Sequence, residues 1–456
     1  MSWFRRLHPL ELTAGTTSLA LILAAIGLSV YSNWLGVHVS LYTADPHNQI
    51  SPYETLSLHF SQPVQAQLAQ KGLKLVPDVP GKFEWQNDHT LLFIPNSPYP
   101  KSVAVHLDSG SIGAGGSWLR WNLTWRLSVR QPQVVYLSSA DPSHELMAIS
   151  AGGGKSHQLT FTGGMVFDFD TSPVGDRIVY SALNQQKGLD LWLVDRDGKN
   201  ARRLLSCGVD RCFSPAWSPD GRLIAYNRQT VNPNPAAPQG TVRLRIVDST
   251  TGQDQPVFAN SQTIGSGALW SPDGSWLASD DSVAEQIRIV NLKTGQQVLL
   301  PSSLGLLGSW SSDSLDLVYP DALDHSDSAT RTVIYRADFK SGEAGVFVGN
   351  SAGDATDYLD AAWCPSANQV VLNIRLDPQH PDQQLWLYHP ATLDGILIAH
   401  QPGYSYDFPR WDPWGTRVVF QEADLNTSYS PQVTIWQEGQ PLKTIAKDGQ
   451  IPHWLP

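Results

Sequence analysis

The segment G-N-S-A-G at residues 349–353 has the spacing G-x-S-x-G, which places a nucleophilic serine on a tight turn in α/β hydrolases. Such a turn needs a strand before it, a helix after it and a hydrolase domain around it. Here the segment instead leads into a Trp-containing repeat in a chain patterned as strands. We therefore predict that Ser351 is not a nucleophile and that the protein is not an enzyme.

A second candidate is the loop D-A-L-D-H-S-D at residues 321–327, where carboxylates and a histidine lie close enough together to hold a divalent cation. The loop lacks the ordered oxygen ligands of a calcium-binding loop. A solvated acidic loop between strands is the better interpretation, so we predict neither a metal site nor a cofactor.

Three segments that lead into first strands of repeats combine aromatic, acidic and basic residues: F-D-F-D from Phe167, residues 351–360 and residues 403–410. An aromatic and acidic rim of this kind suits contact with a protein or a glycan. The alternative is that these are ordinary turn residues and that the aromatic rings pack between sheets. The predicted contact residues are Asp168, Asp170, Asp357, Tyr358, Asp360, Tyr404, Tyr406, Asp407 and Arg410.

The overall composition points to short strands and against nucleic acid. Lys and Arg total 31 against 42 Asp and Glu, a net charge of −11, and no basic run offers the positive surface that phosphates require. Charged residues make up only 16%, whereas Gly (36), Pro (32) and Trp (17) are frequent. This mixture favours an all-β protein with many tight turns.

Three cysteines are too few for a disulfide framework. Cys207 and Cys212 flank a short loop and could form a disulfide in an oxidising compartment, or they could be two free core residues. Cys364 is expected to be a buried small side chain.

The amino-terminal region predicts a membrane anchor. Residues 13–35 carry no Asp, Glu, Lys or Arg and are long enough to cross a bilayer as a helix. Arg5 and Arg6 precede them, so residues 1–12 are expected in the cytoplasm as a short tail and the rest of the chain outside it, at the cell membrane. A cleaved signal peptide has the same opening, but no A-x-A-like cleavage site follows Val30.

Residues 36–130 contain seven short alternating apolar runs, a density typical of a β-sandwich. The stretch S-P-Y-E-T-L-S-L-H-F from Ser51, together with F-E-W and L-L-F-I-P-N-S-P-Y-P, resembles the bacterial immunoglobulin-like domains of exported proteins. The resemblance implies a spacer role for this domain.

Residues 131–456 contain a recurring unit with the pattern W-S-P-D-G followed by an apolar run. Each unit predicts a strand ending in a large residue, a tight turn at Pro-Asp-Gly and a second strand, with two more strands after it. Four strands per repeat is the pattern of a propeller blade. The six complete units begin at Thr171, Trp217, Trp270, Trp310, Trp363 and Trp411.

The two ends of this region complement each other. Trp454 lies in a first strand without later strands, and residues 134–162 supply later strands without a first. Joining them predicts a seventh blade and a closed ring, which leaves no unpaired strand edges. The predicted fold is therefore an all-β chain: a seven-bladed β-propeller preceded by an immunoglobulin-like β-sandwich and one transmembrane helix.

The repeats resemble those of TolB and of the propellers in prolyl-oligopeptidase-like enzymes. TolB-like propellers have six blades, whereas we count seven here, and this difference weakens any transfer of TolB's role in binding a lipoprotein. We expect a membrane-anchored binding or scaffold protein that contacts a protein partner of the cell envelope. The alternatives are an accessory subunit or sensor of a membrane complex and a propeller-channel enzyme acting on glycans.

Overall fold

The computed structural model describes residues 22–23, 36–43, 49–110, 112–140, 144–234, 236–260, 263–323, 331–349, 356–377, 379–392, 394–427 and 430–456. The chain divides into two compact units, Met1–Arg130 and Gln131–Pro456. Apart from Ile22 and Leu23, the predicted membrane span at residues 13–35 lies outside the described residues. Within the described ranges, no helix is long and apolar enough to cross a membrane.

The first unit contains two four-stranded sheets and one short helix. Its elements are β1 (Val39–Tyr42), β2 (Gln49–Ile50), β3 (Leu56–Phe60), α1 (Ala66–Gly72), β4 (Leu73–Val76), β5 (Gly81–Asn87), β6 (Thr90–Pro95), β7 (Ser102–Leu107) and β8 (Leu123–Val129). One sheet has the order β1-β3-β6-β5 and the other has the order β2-β8-β7-β4. In β3, Leu56, Leu58 and Phe60 are buried and alternate with more exposed residues, as expected of a strand with one face on a core.

The helix α1 was not predicted. Its sequence A-Q-L-A-Q-K-G has no β-branched residue and is rich in good helix formers, so local propensity favours a helical turn here. Only Ala69 of the helix is buried.

The described strands of the second unit form five antiparallel four-stranded sheets and one eight-stranded sheet. A single parallel pair, Leu189 with Arg211, joins the two groups of four strands in the larger sheet, and we number these groups as sheets 1 and 2. Their bounds are as follows. Sheet 7 contains β9 (Gln133–Ser138), β10 (Leu146–Ser150), β11 (His157–Gln158) and the last strand β36 (Gly449–Leu455). Sheet 1 contains β12 (Val166–Thr171), β13 (Arg177–Leu183), β14 (Leu189–Asp195) and β15 (Arg202–Leu205). Sheet 2 contains β16 (Arg211–Trp217), β17 (Leu223–Gln229), β18 (Val242–Asp248) and β19 (Asp254–Pro256).

The remaining sheets follow the same order along the chain. Sheet 3 contains β20 (Ser266–Trp270), β21 (Trp276–Asp281), β22 (Gln286–Asn291) and β23 (Gln297–Pro301). Sheet 4 contains β24 (Ser309–Trp310), β25 (Asp316–Leu323), β26 (Arg331–Asp338) and β27 (Glu343–Val348). Sheet 5 contains β28 (Asp357–Trp363), β29 (Val370–Arg375), β30 (Gln384–His389) and β31 (Asp394–His400). Sheet 6 contains β32 (Tyr404–Trp411), β33 (Arg417–Asp424), β34 (Gln432–Gln437) and β35 (Lys443–Lys447).

The repeated Trp ends the first strand of a sheet and links it to the preceding sheet. In four cases its indole N–H donates a hydrogen bond to the carbonyl of the residue just before the Trp position in the preceding sheet. These bonds are Trp270 to Ala216 (3.1 Å), Trp310 to Leu269 (3.4 Å), Trp411 to Ala362 (3.0 Å) and Trp454 to Arg410 (2.9 Å). The Trp therefore satisfies its polar atom while its ring fills the space between sheets.

The turn after the Trp is closed by its own side chains. Ser271 Oγ donates to Asp273 Oδ1 (2.6 Å) and accepts the backbone N–H of Trp276 (2.9 Å), and Gly274 has φ +68°. Ser311 makes the same two bonds, to Asp313 and from Asp316. The S-P-D-G pattern thus satisfies the turn locally, because Ser and Asp replace backbone partners and Gly adopts the left-handed conformation.

A hydrophobic cluster of buried residues fills the space between each pair of neighbouring sheets. Sheets 1 and 2, 2 and 3, 3 and 4, 4 and 5, 5 and 6, 6 and 7, and 7 and 1 each share one. Sheets packed face to face in this way, with most first strands in contact with the next first strand, form a β-propeller fold.

The last strand completes sheet 7, which also contains the first three strands of this unit. β36 pairs antiparallel with β9, with Trp454 opposite Val134 and Leu455 opposite Gln133, which confirms the pairing predicted from the two ends of the repeat region. Thr171 takes the Trp position in sheet 1, and its hydroxyl donates to the Trp454 carbonyl (2.7 Å). Cys207 and Cys212 form a disulfide, and Cys364 is buried as predicted.

Candidate functional site

Strand direction decides which residues can meet in this fold. Because the four strands of a sheet alternate in direction, the connections from strand 4 to the next strand 1 and from strand 2 to strand 3 lie at the same end of every sheet. We call this the loop end and the opposite end the turn end. Backbone bonds join the two kinds of connection, as between Leu183 N–H and Met165 C=O (3.0 Å) and between Leu425 N–H and Gly403 C=O (2.7 Å).

Six of the seven first strands contain a register shift shortly before the Trp position. A β-bulge of this kind re-aims the side chains that follow it. Asp170, Arg410 and His453 all occupy the position just before the Trp or its Thr171 counterpart. The fold therefore brings together residues that are far apart in the sequence.

Asp170 joins three neighbouring first strands. Its Oδ1 accepts a hydrogen bond from His453 Nδ1 (3.0 Å), and its Oδ2 accepts the backbone N–H of Trp217 (2.8 Å). Burial and the positive charge of Arg410 lower the pKa of His453 to about 4, more than Asp170 raises it. His453 is therefore neutral at physiological pH, and its contact with Asp170 is a hydrogen bond of a neutral imidazole rather than an ion pair.

Asp168 lies two residues before Asp170 on β12, directly after the register shift. It accepts hydrogen bonds from the Ser181 hydroxyl and from the backbone N–H of Ser214. Burial raises the pKa of Asp168 to about 6, against the lowering effect of these bonds.

Asp360, Asp407 and Arg410 come from sheets 5 and 6. Burial raises the pKa of Asp360 to about 6, although the Ala361 N–H (2.8 Å) and the charge of Arg410 lower it. Burial also raises the pKa of Asp407, which accepts the Ser405 hydroxyl (3.2 Å). Burial lowers the pKa of Arg410, and the negative charges of Asp170 and Asp360 partly offset this by raising it.

Arg410 is surrounded by protein yet exposed to water, which is the combination expected of a group lining a channel. Within the part of the chain that the structure describes, no carboxylate lies close enough to its guanidinium for an ion pair. Arg410 therefore interacts electrostatically with Asp170 and Asp360 at longer range and forms an ion pair with neither of them.

The remaining predicted contact residues lie outside the group of Asp168, Asp170, Asp360, Asp407 and Arg410. Tyr406 is 1% exposed and packs in the cluster between sheets 5 and 6, so the prediction that its ring contacts a partner is corrected. Tyr404 packs against the same cluster, and Tyr358 packs against the cluster between sheets 4 and 5. Asp357 is buried and forms an ion pair with Arg375 (2.7 Å), which makes it a structural link between strands. For these residues the alternative of packing between sheets describes the structure better.

The other two chemical candidates fall partly outside the described residues. Gly349 is described, whereas Ser351 of the G-x-S-x-G segment is not. Asp321 accepts backbone and hydroxyl bonds from Ser303 (2.9 and 3.0 Å), and residues 324–330 of its loop lie outside the description. Over the described ranges, no three His, Cys, Asp or Glu residues are grouped closely enough to hold a metal ion.

A cavity of about 320 Å³ opens beside Asp360 and Asp407. Its wall includes Asn373, which the sequence analysis missed along with His453. His453 could have been found by aligning the residue before each Trp. Asn373 gave no such signal, because it sits inside an apolar second strand.

Exposed large hydrophobic side chains are concentrated at the loop end. Among the described residues of the second unit, ten lie in or beside loop-end connections and two, Leu315 and Leu442, lie in turn-end connections. Four more lie within strands: Leu299, Ile396, Leu397 and Phe408. The ten are Phe161, Met165, Phe167, Leu183, Val209, Val283, Leu304, Leu306, Leu376 and Leu425. We call this set the apolar rim.

No protein-family model matches the chain, and no curated protein sequence matches it. Solved structures with a similar fold include a putative TolB from Agrobacterium tumefaciens (20% identity, 55% of this chain and 86% of that chain, TM-score 0.41) and TolB from Acinetobacter baumannii (15%, 86% and 86%, 0.44). An oligogalacturonate lyase in complex with manganese is also similar (14%, 69% and 83%, 0.49). At these identities and TM-scores the likeness says nothing about activity, ligand or partner.

Proposed function

We propose that the protein is a membrane-anchored, extracytoplasmic binding or scaffold protein whose seven-bladed β-propeller contacts a protein partner through the apolar rim. The first unit, an immunoglobulin-like β-sandwich in this proposal, acts as the spacer. The observation that carries the proposal is the uneven distribution of exposed hydrophobic side chains, ten at loop-end connections against two at turn-end connections. Exposed apolar side chains grouped at one end favour an interaction site there.

The number of blades is supported by two features of the described residues. Five four-stranded sheets and the two halves of the eight-stranded sheet make seven groups of four strands, and seven hydrophobic clusters join these groups in a cycle. A ring of six would leave one of these sheets without neighbours on both faces.

The compartment is supported by the sequence and by one covalent bond. Residues 13–35 have the length and composition of a membrane span, and the preceding Arg5 and Arg6 favour a cytoplasmic amino terminus. The Cys207–Cys212 disulfide suits an oxidising environment outside the cytoplasm.

Site-specific photo-crosslinking in intact cells tests the proposal. A benzoylphenylalanine replacing Phe167, which is 59% exposed at the loop end, should yield a discrete crosslinked protein. The same probe replacing Leu442, 41% exposed at the turn end, is the matched control and should yield none. Equal crosslinking from positions 167 and 442 would contradict the proposal. So would the absence of crosslinking both from position 167 and from the same probe placed at Val283.

A second candidate function is a channel enzyme acting on glycans. It is favoured by the convergence of Asp170, Asp360, Asp407, Arg410 and His453, because a carboxyl group such as that of Asp360, whose pKa burial raises to about 6, suits general acid catalysis. Turnover of an oligosaccharide that is lost in Asp360→Asn and kept in Asp377→Asn would favour this function over binding alone.

A further inference from the structure

Two tryptophans in the loop that joins β7 to β8 of the first unit are exposed to solvent. Trp118 is 62% exposed and Trp121 is 70% exposed, and every other tryptophan in the described part of the chain is less exposed. Leu119 between them is buried, and it exchanges two backbone hydrogen bonds with Gly110 (3.0 and 2.7 Å). A hydrogen-bonded backbone therefore presents both rings to the outside.

This loop lies beside the residues at which the chain enters the first unit. The Val37 N–H donates to the Trp118 carbonyl (3.0 Å). Gly36 has φ +80°, and a Cβ on it would lie 2.7 Å from the same carbonyl, so this close approach requires glycine. The entering chain is thus bonded directly to the backbone of Trp118, with no free linker between them.

The strand order places these residues together at one end of the unit. The loop follows the end of β7, and an isolated bridge between Val64 and Gly113 joins it to the connection that follows β3. The chain leaves the unit at the opposite end, where the Arg130 N–H donates to the Ile50 carbonyl (2.9 Å). We call the first of these the entry end, and its described residues are 36–38, 61–74, 87–90, 107–110 and 112–122.

The entry end follows directly on the predicted membrane span. That span ends at residue 35, and Val37 is two residues further on, at most about 7 Å along an extended chain. The headgroup layer outside each face of the hydrocarbon core is about 5–7 Å thick. Since Trp118 is bonded to Val37, its ring is within reach of that layer.

The charges of the entry end do not oppose contact with a membrane. Lys71, Lys74 and Arg120 are its cations, and Asp88 and Asp108 are its carboxylates. Lys74 Nζ donates to Asp108 Oδ2 (2.8 Å), which neutralises one of these carboxylates. The remaining charge is not negative, so lipid phosphates are not repelled.

We infer that the entry end lies on the outer face of the lipid bilayer, with Trp118 and Trp121 inserted at the level of the headgroups. A tryptophan ring has an apolar body and one N–H donor, and the membrane–water interface satisfies both. Leu68 of α1, 45% exposed at the same end, adds apolar surface. The inference rests on the proposed function for its membrane anchor, and it gives the first unit a lipid-binding surface in addition to its spacer role.

The test measures how close the loop lies to lipid in the full-length chain, incorporated into phosphatidylcholine nanodiscs. An NBD fluorophore is attached at Ala114→Cys, an exposed position of the same loop, in a Cys364→Ser background. Ser102→Cys, exposed at the opposite end of β7, is the matched control. We expect doxyl-labelled phosphatidylcholine to quench position 114 about threefold more strongly than position 102, and aqueous iodide to show the reverse preference.

A second measurement tests the tryptophan rings themselves. Trp118→Ser and Trp121→Ser in one chain should reduce lipid quenching at position 114 to the level at position 102. Tyr42→Ser, at a position that is 58% exposed outside the entry end, is the control variant and should leave the quenching unchanged. Thermal unfolding checks each variant, and the two single variants replace the double variant if it does not melt cooperatively.

Equal lipid quenching at positions 114 and 102, or quenching that survives the loss of both rings, would overturn the inference. Protection of position 114 from both quenchers would also overturn it and would assign the loop to a protein contact. Release of the full-length chain from vesicles by alkaline carbonate would refute the membrane anchor and the inference together. A chain that stays in the bilayer without quenching at position 114 refutes the inference alone, and crosslinking from Phe167 tests the partner contact separately.

Discussion

The two ends of the propeller sheets use their polar groups in opposite ways. At the turn end, Ser271 and Ser311 each satisfy an Asp and a backbone N–H within a few residues. At the loop end, Asn373 Oδ1 is unpaired, Asp360 has a raised pKa, and hydrophobic rings such as Phe167 are exposed. The difference indicates that the turn end is built for folding, whereas the loop end retains unsatisfied groups that a ligand can satisfy.

The largest expected effect comes from removing the last strand. Deleting residues 450–456 removes the first strand of sheet 7, including the buried Trp454 and Leu455. We expect the free energy of unfolding to fall by more than about 5 kcal/mol, because the missing strand leaves an empty space against both neighbouring sheets. Urea denaturation measures it. Leu442→Ala, at an exposed position, should change stability by less than about 0.5 kcal/mol. A truncated chain that unfolds at the parental midpoint would refute closure by β36.

A smaller effect on the free energy of unfolding is expected from the carboxylate of Asp360 at the loop end. The pKa of Asp360 is about 6 in the folded protein and lower when unfolded, so the folded state binds more protons between about pH 4 and pH 6. This group therefore costs no stability below about pH 4, and its cost grows as pH rises from about 4 to 6 and is constant above that. Asp360→Asn removes this loss, and we expect it to be more stable than the parent by about 2 kcal/mol at pH 8.

The difference between parent and variant should vanish toward pH 4. His453, with its pKa lowered to about 4, adds stability as pH rises from 4 to 6.5, but it is present in both chains and cancels. Thermal unfolding of both chains from pH 4 to pH 8 gives the comparison. A constant offset across this range would show that Asp360 does not titrate as described.

At the turn end, the expected change is again destabilising but local. Ser271 is fully buried, and Ser271→Ala leaves Asp273 and the Trp276 N–H without their shared partner. We expect a loss of about 1–2 kcal/mol and unchanged binding of the partner. Ser312→Ala, at an exposed position of the corresponding turn in sheet 4, is the matched control for both measurements.

The smallest effect on stability is expected at the apolar rim. Phe167→Ser should change the free energy of unfolding by less than about 0.5 kcal/mol, because the ring is 59% exposed. The same variant should lose most of the partner binding, as measured by pull-down of the crosslinked protein identified from the parent. Loss of stability without loss of binding would make Phe167 a structural residue.

Local patterns in the sequence were sufficient for the repeats. The Trp position ends the first strand in each sheet except sheet 1, where Thr171 replaces it, and sheet 7, where Leu455 follows it. The same patterns predicted that the strand of Trp454 joins the strands of residues 134–162, because hydrophobic alternation and turn residues are short-range signals. The helix Ala66–Gly72 was not predicted, because a helical propensity over only seven residues is a weak signal between segments patterned as strands.

The sequence by itself therefore determined the all-β fold of the repeats, the tight turns and the pairing that joins the two ends of the propeller. Only the tertiary structure decided which polar groups meet. Asp360, Asn373 and Asp407 come from three strands, and Tyr406 turns into the core two residues after Tyr404. The physical reason is that strand bulges and sheet packing set the direction of each side chain, and neither depends on residues that are neighbours in the sequence.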